Sequence, residues 1–128
     1  MPRTERERRR RIADAATDLR LHPAAVLYLC APEVAPESLV ERLAAHAGAR
    51  RLPVADTVVD LMDPASPMDD RPGWQHVREL VLAREVTAVV TAADDMCGGT
   101  SKEREAVRAW LADHASELTA APVPVAGV

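Results

Sequence analysis

Two short, unbroken apolar runs constrain this chain more than any other feature. Ala24 to Cys30 reads AAVLYLC, and Val86 to Thr91 reads VTAVVT. Both have strand length, and the first is bracketed by Pro23 and Pro32. A strand with one wet face alternates apolar and polar residues, whereas a strand without alternation is covered on both faces. Runs of this kind belong in a parallel sheet packed between helices.

The segments around them supply the helices. Pro36 falls in the first turn of a helix running to about His46, with Leu39, Leu43 and Ala44 as its apolar stripe and Gly48 as its C-cap. Leu52 to Asp60 (LPVADTVVD) predicts a second strand, and Pro53 at its start suggests an edge position. Asp63 to Asp70 (DPASPMDD) is turn-rich and reads as a mobile loop. The next helix starts near Pro72 and presents Trp74, Val77, Leu80 and Val81 at helical spacing. After Val86–Thr91 comes ADDMCGGTSKE. Thr100 and Glu103 form a capping box there, announcing a helix from Ser101 to about Leu118. Val107, Trp110, Leu111 and His114 or Ala115 make its inner face. Residues 122–128 (PVPVAGV) offer a short last strand or a frayed end. Strands thus alternate with helices, which predicts one three-layer α/β domain over 23–128, with a mainly parallel sheet and helices on both faces.

The core must be aliphatic, because the 128 residues include no Phe, one Tyr and two Trp. The net charge of -4 argues against nucleic-acid binding by bulk electrostatics. The charge is uneven, however. Residues 3–20 (RTERERRRRIADAATDLR) hold seven Arg against four acids and carry a weak apolar stripe of Ile12, Ala15, Ala16 and Leu19. Residues 1–22 read as a basic arm or helix. Two cysteines are too few for a disulfide framework. No apolar run approaches the roughly 18 residues of a membrane helix, and the Arg-rich start lacks a signal-peptide core, so the expectation is cytoplasmic residence without a membrane partner.

One stretch resembles a known family. The first strand closes in Tyr28-Leu29-Cys30-Ala31-Pro32-Glu33, a strand ends at Asp60, and the loop after it closes in Asp70-Arg71-Pro72-Gly73. The third strand is followed by Ala93-Asp94-Asp95-Met96-Cys97-Gly98. The pattern is similar to the catalytic domain of the serine recombinases, the resolvase/invertase family, over roughly residues 25–120. The resemblance implies that fold. It sets Arg71 at an active-site arginine of the family and Asp94 at the aspartate of its last motif. It also sets Pro32 at the nucleophilic serine, Cys30 at an arginine two residues earlier, and Asp95 and Gly98 at two further arginines. Proline has no hydroxyl to attack a phosphodiester. The missing arginines would have neutralised the phosphoryl group, and Asp95 would repel it. The resemblance therefore implies a degenerate, catalytically inactive member, with no catalytic residues, cofactor or metal.

Several side chains have both a chemical and a bland reading. Cys30 and Cys97 follow the first and third strands, which are neighbours in a doubly wound sheet. They are either a redox pair or thiolate site in a shared crevice, or two small buried hydrophobes. Asp60, Asp63, Asp94 and Asp95 either hold Mg²⁺ or are loop carboxylates. Gly98 and Gly99 open a helix, where backbone N–H groups bind an anion or simply cap. The candidate crevice is therefore Cys30, Arg71, Asp94, Cys97, Gly98 and Gly99. Arg8, Arg9, Arg10 and Arg11 either contact nucleic acid or an acidic partner, or form a solvated arm without aromatics for base stacking. The four histidines are scattered. Trp74 and Trp110 read as core anchors or interface residues. Two functions follow: an inactive resolvase-like module that self-associates or binds a protein partner, with DNA contact through the arm, or a small-molecule, anion-binding or redox domain using the crevice.

Overall fold

The computed structural model describes residues 23–34 and 37–121. The basic arm, Pro36 and the last seven residues lie outside that range.

Strand β1 (Ala25–Ala31) occupies the centre of the sheet, and every residue from Ala25 to Cys30 is buried. Helix α1 (Glu37–Ala49), strand β2 (Val54–Leu61), helix α2 (Pro72–Leu82), strand β3 (Ala88–Thr91), helix α3 (Ser101–Asp113) and strand β4 (Glu117–Ala120) follow in order. Short 3-10 turns precede α2 at Met68–Asp70 and follow β3 at Asp94–Cys97. The strands line up as β2-β1-β3-β4, all parallel. The order reverses between β1 and β3, the usual place for a ligand crevice in a doubly wound sheet.

The continuous apolar runs are explained by what covers them. On one face Leu27, Leu29, Ala88 and Val90 pack under Leu43 and Ala47 of α1. On the other, Val26, Tyr28, Cys30 and Val89 pack under Trp74, Val77 and Val81 of α2 and Val107 and Leu111 of α3. Strand β2 is an edge, as Pro53 suggests, and Ala55 forms a bulge in it, because Ala25 pairs with Val54 while Val26 pairs with Asp56.

Four local readings change. Gly48 is not a C-cap but lies inside α1. Helices α1, α2 and α3 end in the same Schellman arrangement: Leu52 N–H donates to Ala47 O, Glu85 N–H to Leu80 O, and Ser116 N–H to Leu111 O. The left-handed residue in each is not glycine: Arg51, Arg84 and Ala115 have φ of 60°, 60° and 56°. The last helix stops at Asp113, so Leu118 belongs to β4 and His114 and Ala115 are exposed. Finally, Asp63–Asp70 is not a free loop. Met68 is buried, and the carbonyls of Pro64 and Ser66 accept hydrogen bonds from a buried arginine.

The left-handed conformation costs an L-residue about 1–2 kcal/mol, part of which glycine returns through its larger unfolded-state entropy. Arg84→Gly and Ala115→Gly are therefore expected to stabilise the fold by roughly 0.5–1 kcal/mol each. Urea unfolding, followed by circular dichroism, measures this.

Candidate functional site

The last residues of β2 and the first of α2 build the centre of the site. Asp60 faces α2 and is 4% exposed. Its carboxylate accepts from Gly73 N–H at 2.6 Å, Trp74 N–H at 2.9 Å and the Tyr28 hydroxyl at 2.6 Å. A carboxylate from another strand thus caps α2, where the free N–H groups and the helix dipole favour negative charge. The Arg-Pro-Gly sequence fits this task. Pro72 takes the first helical position, where no N–H is needed. A Cβ on Gly73 would lie 2.8 Å from the Asp60 carboxylate, so only glycine allows the approach.

Arg71 precedes that helix and turns its side chain into the protein, where it is wholly buried. Nε and Nη2 donate to Ser66 O at 3.1 and 3.0 Å, and Nη2 donates to Pro64 O at 2.6 Å. Nη1 donates to Met96 O and, at 3.4 Å, to the Tyr28 hydroxyl. A guanidinium has five N–H donors, and these bonds engage its whole capacity. Through Tyr28 the buried cation shares a network with Asp60. Burial, reinforced by the bond to Asp60, pushes the Tyr28 hydroxyl far above the usual phenol range.

Cys30 and Cys97 are free thiols, wholly buried in the same apolar cluster. Cys30 Sγ donates to Met62 O at 3.4 Å. Burial raises both thiols, Cys97 to about 12, against the pull of Arg71. Both are thus protonated at neutral pH and poor nucleophiles or metal ligands. By strand alternation Thr91 shares this face, and its hydroxyl is buried without a partner.

The structure brings Cys30, Arg71 and Cys97 together but not Asp94, which is exposed and accepts from Arg108 Nη2 at 3.2 Å. Gly98 makes the turn into α3 with φ 134°, where a Cβ would meet Arg104 N at 2.7 Å. Gly99 N–H donates to Glu103 Oε1 at 3.0 Å, and Glu103 Oε2 accepts from Met68 N–H at 2.9 Å. Thr100 Oγ1 accepts from Glu103 N–H, completing the cap. An anion at this helix start would have to displace Glu103. Among the described residues no group of three His, Cys, Asp or Glu stands where it could hold a metal ion, and no helix is long and apolar enough to cross a membrane.

Two cavities flank the closed centre. One of about 220 Å³ lies beside the end of β1, lined by Leu29, Pro32, Val34, Leu39 and Met96. Another of about 320 Å³ runs between α2 and α3, where Trp110 is half-buried beneath Arg78, whose Cζ stands 5.3 Å from the ring centre. Trp74 is a core anchor, meeting Tyr28 edge-on at 5.3 Å. Sequence reasoning had no role for Tyr28, Arg104 or Arg108. The spacing of four between Arg104 and Arg108, just after a Gly-Gly turn, was the available signal that basic side chains reach back over the Asp94 loop.

Solved structures with this fold are catalytic domains of serine recombinases. The C-terminal catalytic domain of ISC1926 TnpA, an IS607-like serine recombinase, is 16% identical with a TM-score of 0.67, over 79% of this chain and 71% of that one. The N-terminal catalytic domain of TP901-1 integrase is 15% identical with a TM-score of 0.66, over 76% of this chain and 75% of that one. A serine recombinase from Sulfolobus solfataricus is 17% identical with a TM-score of 0.56, over 76% and 68%. At these identities the likeness establishes the fold, the one the sequence resemblance implies. No protein-family model and no curated protein matches the sequence.

Arg71→Met leaves three part-buried carbonyls, those of Pro64, Ser66 and Met96, without their donor, each worth about 1–3 kcal/mol. A loss of at least about 3 kcal/mol in urea unfolding is expected, whereas Asp94→Ala, breaking only an exposed pair, stays within about 0.5 kcal/mol. In the folded protein Cys30 and Cys97 should resist a thiol reagent at neutral pH and react stoichiometrically in denaturant, read by absorbance of the released chromophore.

Proposed function

We propose that this chain is a serine-recombinase-fold domain that carries out no phosphoryl transfer and works as an interaction or regulatory module, residues 1–22 serving it as a basic arm and 23–128 as the α/β domain. One observation carries the reading. The arginine at the family's active-site position, Arg71, is wholly buried and gives its donors to the carbonyls of Pro64, Ser66 and Met96 and to Tyr28. Such an arginine has nothing left to offer a phosphate, and developing charge on a transferring phosphoryl group needs donors aimed at it. The position of the nucleophile points the same way, since Pro32 lacks a hydroxyl. The raised thiols of Cys30 and Cys97 and the occupied N–H of Gly99 favour this module over a redox or anion-binding domain.

A module needs surface rather than a crevice. The half-buried Trp110 under Arg78 has the composition that interface cores favour. Arg8, Arg9, Arg10 and Arg11 supply the contact to DNA or an acidic partner, a contact that weakens as salt rises.

Incubation of the full chain with duplex DNA of randomised sequence tests the inactive centre. No covalent protein–DNA adduct stable to detergent is expected, for the native chain or for Pro32→Ser, because restoring a hydroxyl does not free Arg71. An adduct from the native chain would sink the reading. Replacing Arg8, Arg9, Arg10 and Arg11 together by Gln should weaken DNA retention at low salt and flatten its dependence on salt, measured by fluorescence anisotropy.

A further inference from the structure

We propose that the open edge of β2 is a self-association surface, on which two copies of this chain pair β2 with β2, antiparallel, about a two-fold axis at Val59. The inference rests on the interaction-module reading above and names its partner as a second copy.

Among the described residues strand β2 bonds only to β1, so its outer edge presents backbone N–H and C=O groups that no described strand pairs. It spans eight residues, twice the length of β4 at the other edge. Among the described residues its face away from α2 is little covered, because α1 packs over β1 and β3. Val59 and Leu61 are consequently 42% and 59% exposed there. An open row of hydrogen-bonding groups beside an apolar shelf is what an added strand fits. A second copy brings the same two features, and a two-fold axis makes them meet each other.

The charges choose the register. An axis perpendicular to the sheet keeps like faces together, so it must pass through one residue of β2. Placed at Val58, it would set Asp56 opposite the partner's Asp60. Placed at Asp60, it would set the two Asp60 residues opposite each other. Directly opposed like charges destabilise a strand pair. Placed at Val59, it sets Val59 against its own copy, Thr57 against the partner's Leu61, and Asp60 against the partner's Val58. Only this centring apposes the shelf residues without apposing acids and keeps the bulge at Ala55 outside the pairing. Asp56, left at the end, is already held by a hydrogen bond with His76 at 3.0 Å.

The test uses the full chain and measures mass by light scattering over a concentration series. A dimer is expected, and Val59→Lys should raise its dissociation constant at least ~tenfold by opposing two cations at the axis. Val59 is partly exposed, so the variant should keep its circular dichroism spectrum. Antiparallel neighbours stand about 4.5–5.5 Å apart at Cα, within disulfide reach. Under mild oxidant Val59→Cys should therefore form a covalent dimer and Leu61→Cys should not. A native chain that stays monomeric, or a dimer indifferent to Val59→Lys with no Val59→Cys link, overturns the proposal. Neither result touches the adduct and anisotropy assays, which test the module reading separately.

Discussion

The structure depends on one buried carboxylate. Asp60 ends an edge strand inside the protein, where an isolated negative charge is strongly disfavoured. Its desolvation is offset by three donors and the positive end of α2. The donors come from two places: Tyr28 from the central strand, Gly73 and Trp74 from the helix start. The carboxylate therefore fixes where α2 begins relative to β1 and β2. That start fixes Arg71, one residue before Pro72, and Arg71 in turn fixes the carbonyls of Pro64, Ser66 and Met96. Two loops that could otherwise frame an open crevice are drawn onto a single cation.

Much of this was legible in the sequence and some was not. The strands and their layering followed from AAVLYLC and VTAVVT because burial on both faces removes polar alternation. The edge position of β2 followed from Pro53, which cannot donate to a ladder. The helix ends were misread because glycine is the usual left-handed residue, whereas here Arg51, Arg84 and Ala115 adopt that conformation and bear its strain. Strand β4 was hidden because Leu118 continues the helical spacing of Val107 and Leu111; the turn at Ala115, not periodicity, separates them. Asp60 and Arg71 were visible as residues, but not as a cap and a staple. Spacing shows that a residue exists near a strand end, whereas which group it meets is a tertiary fact.

The likeness to serine recombinase catalytic domains has the same structure of success and limit. A fold is carried by many weak burial constraints, so it persists at 15–17% identity. An active site is carried by a few groups whose donors must point into open space. Arg71, a guanidinium with five internal hydrogen bonds, is a structural cross-link in this fold. Arg104 and Arg108 reach the loop after β3 from α3, but they engage Gly98, Ser101, Asp94 and the Leu118 carbonyl. Basic charge near the loop is thus bound up locally as well.

Asp60 and Arg71 are turned inward, and β2 shows how the outside of the fold is organised. Natural sheets blunt their edges with proline, bulges and charge. All three occur here, at Pro53, Ala55 and Asp56, and all at the beginning of the strand. Past Asp56 the protection stops, and Thr57 to Leu61 presents a regular edge with Val59 and Leu61 half open to water. An edge defended along its whole length would be plain avoidance of aggregation. Defence of one end only leaves a short, defined segment free to pair, and the acids at Asp56 and Asp60 then limit how it can do so.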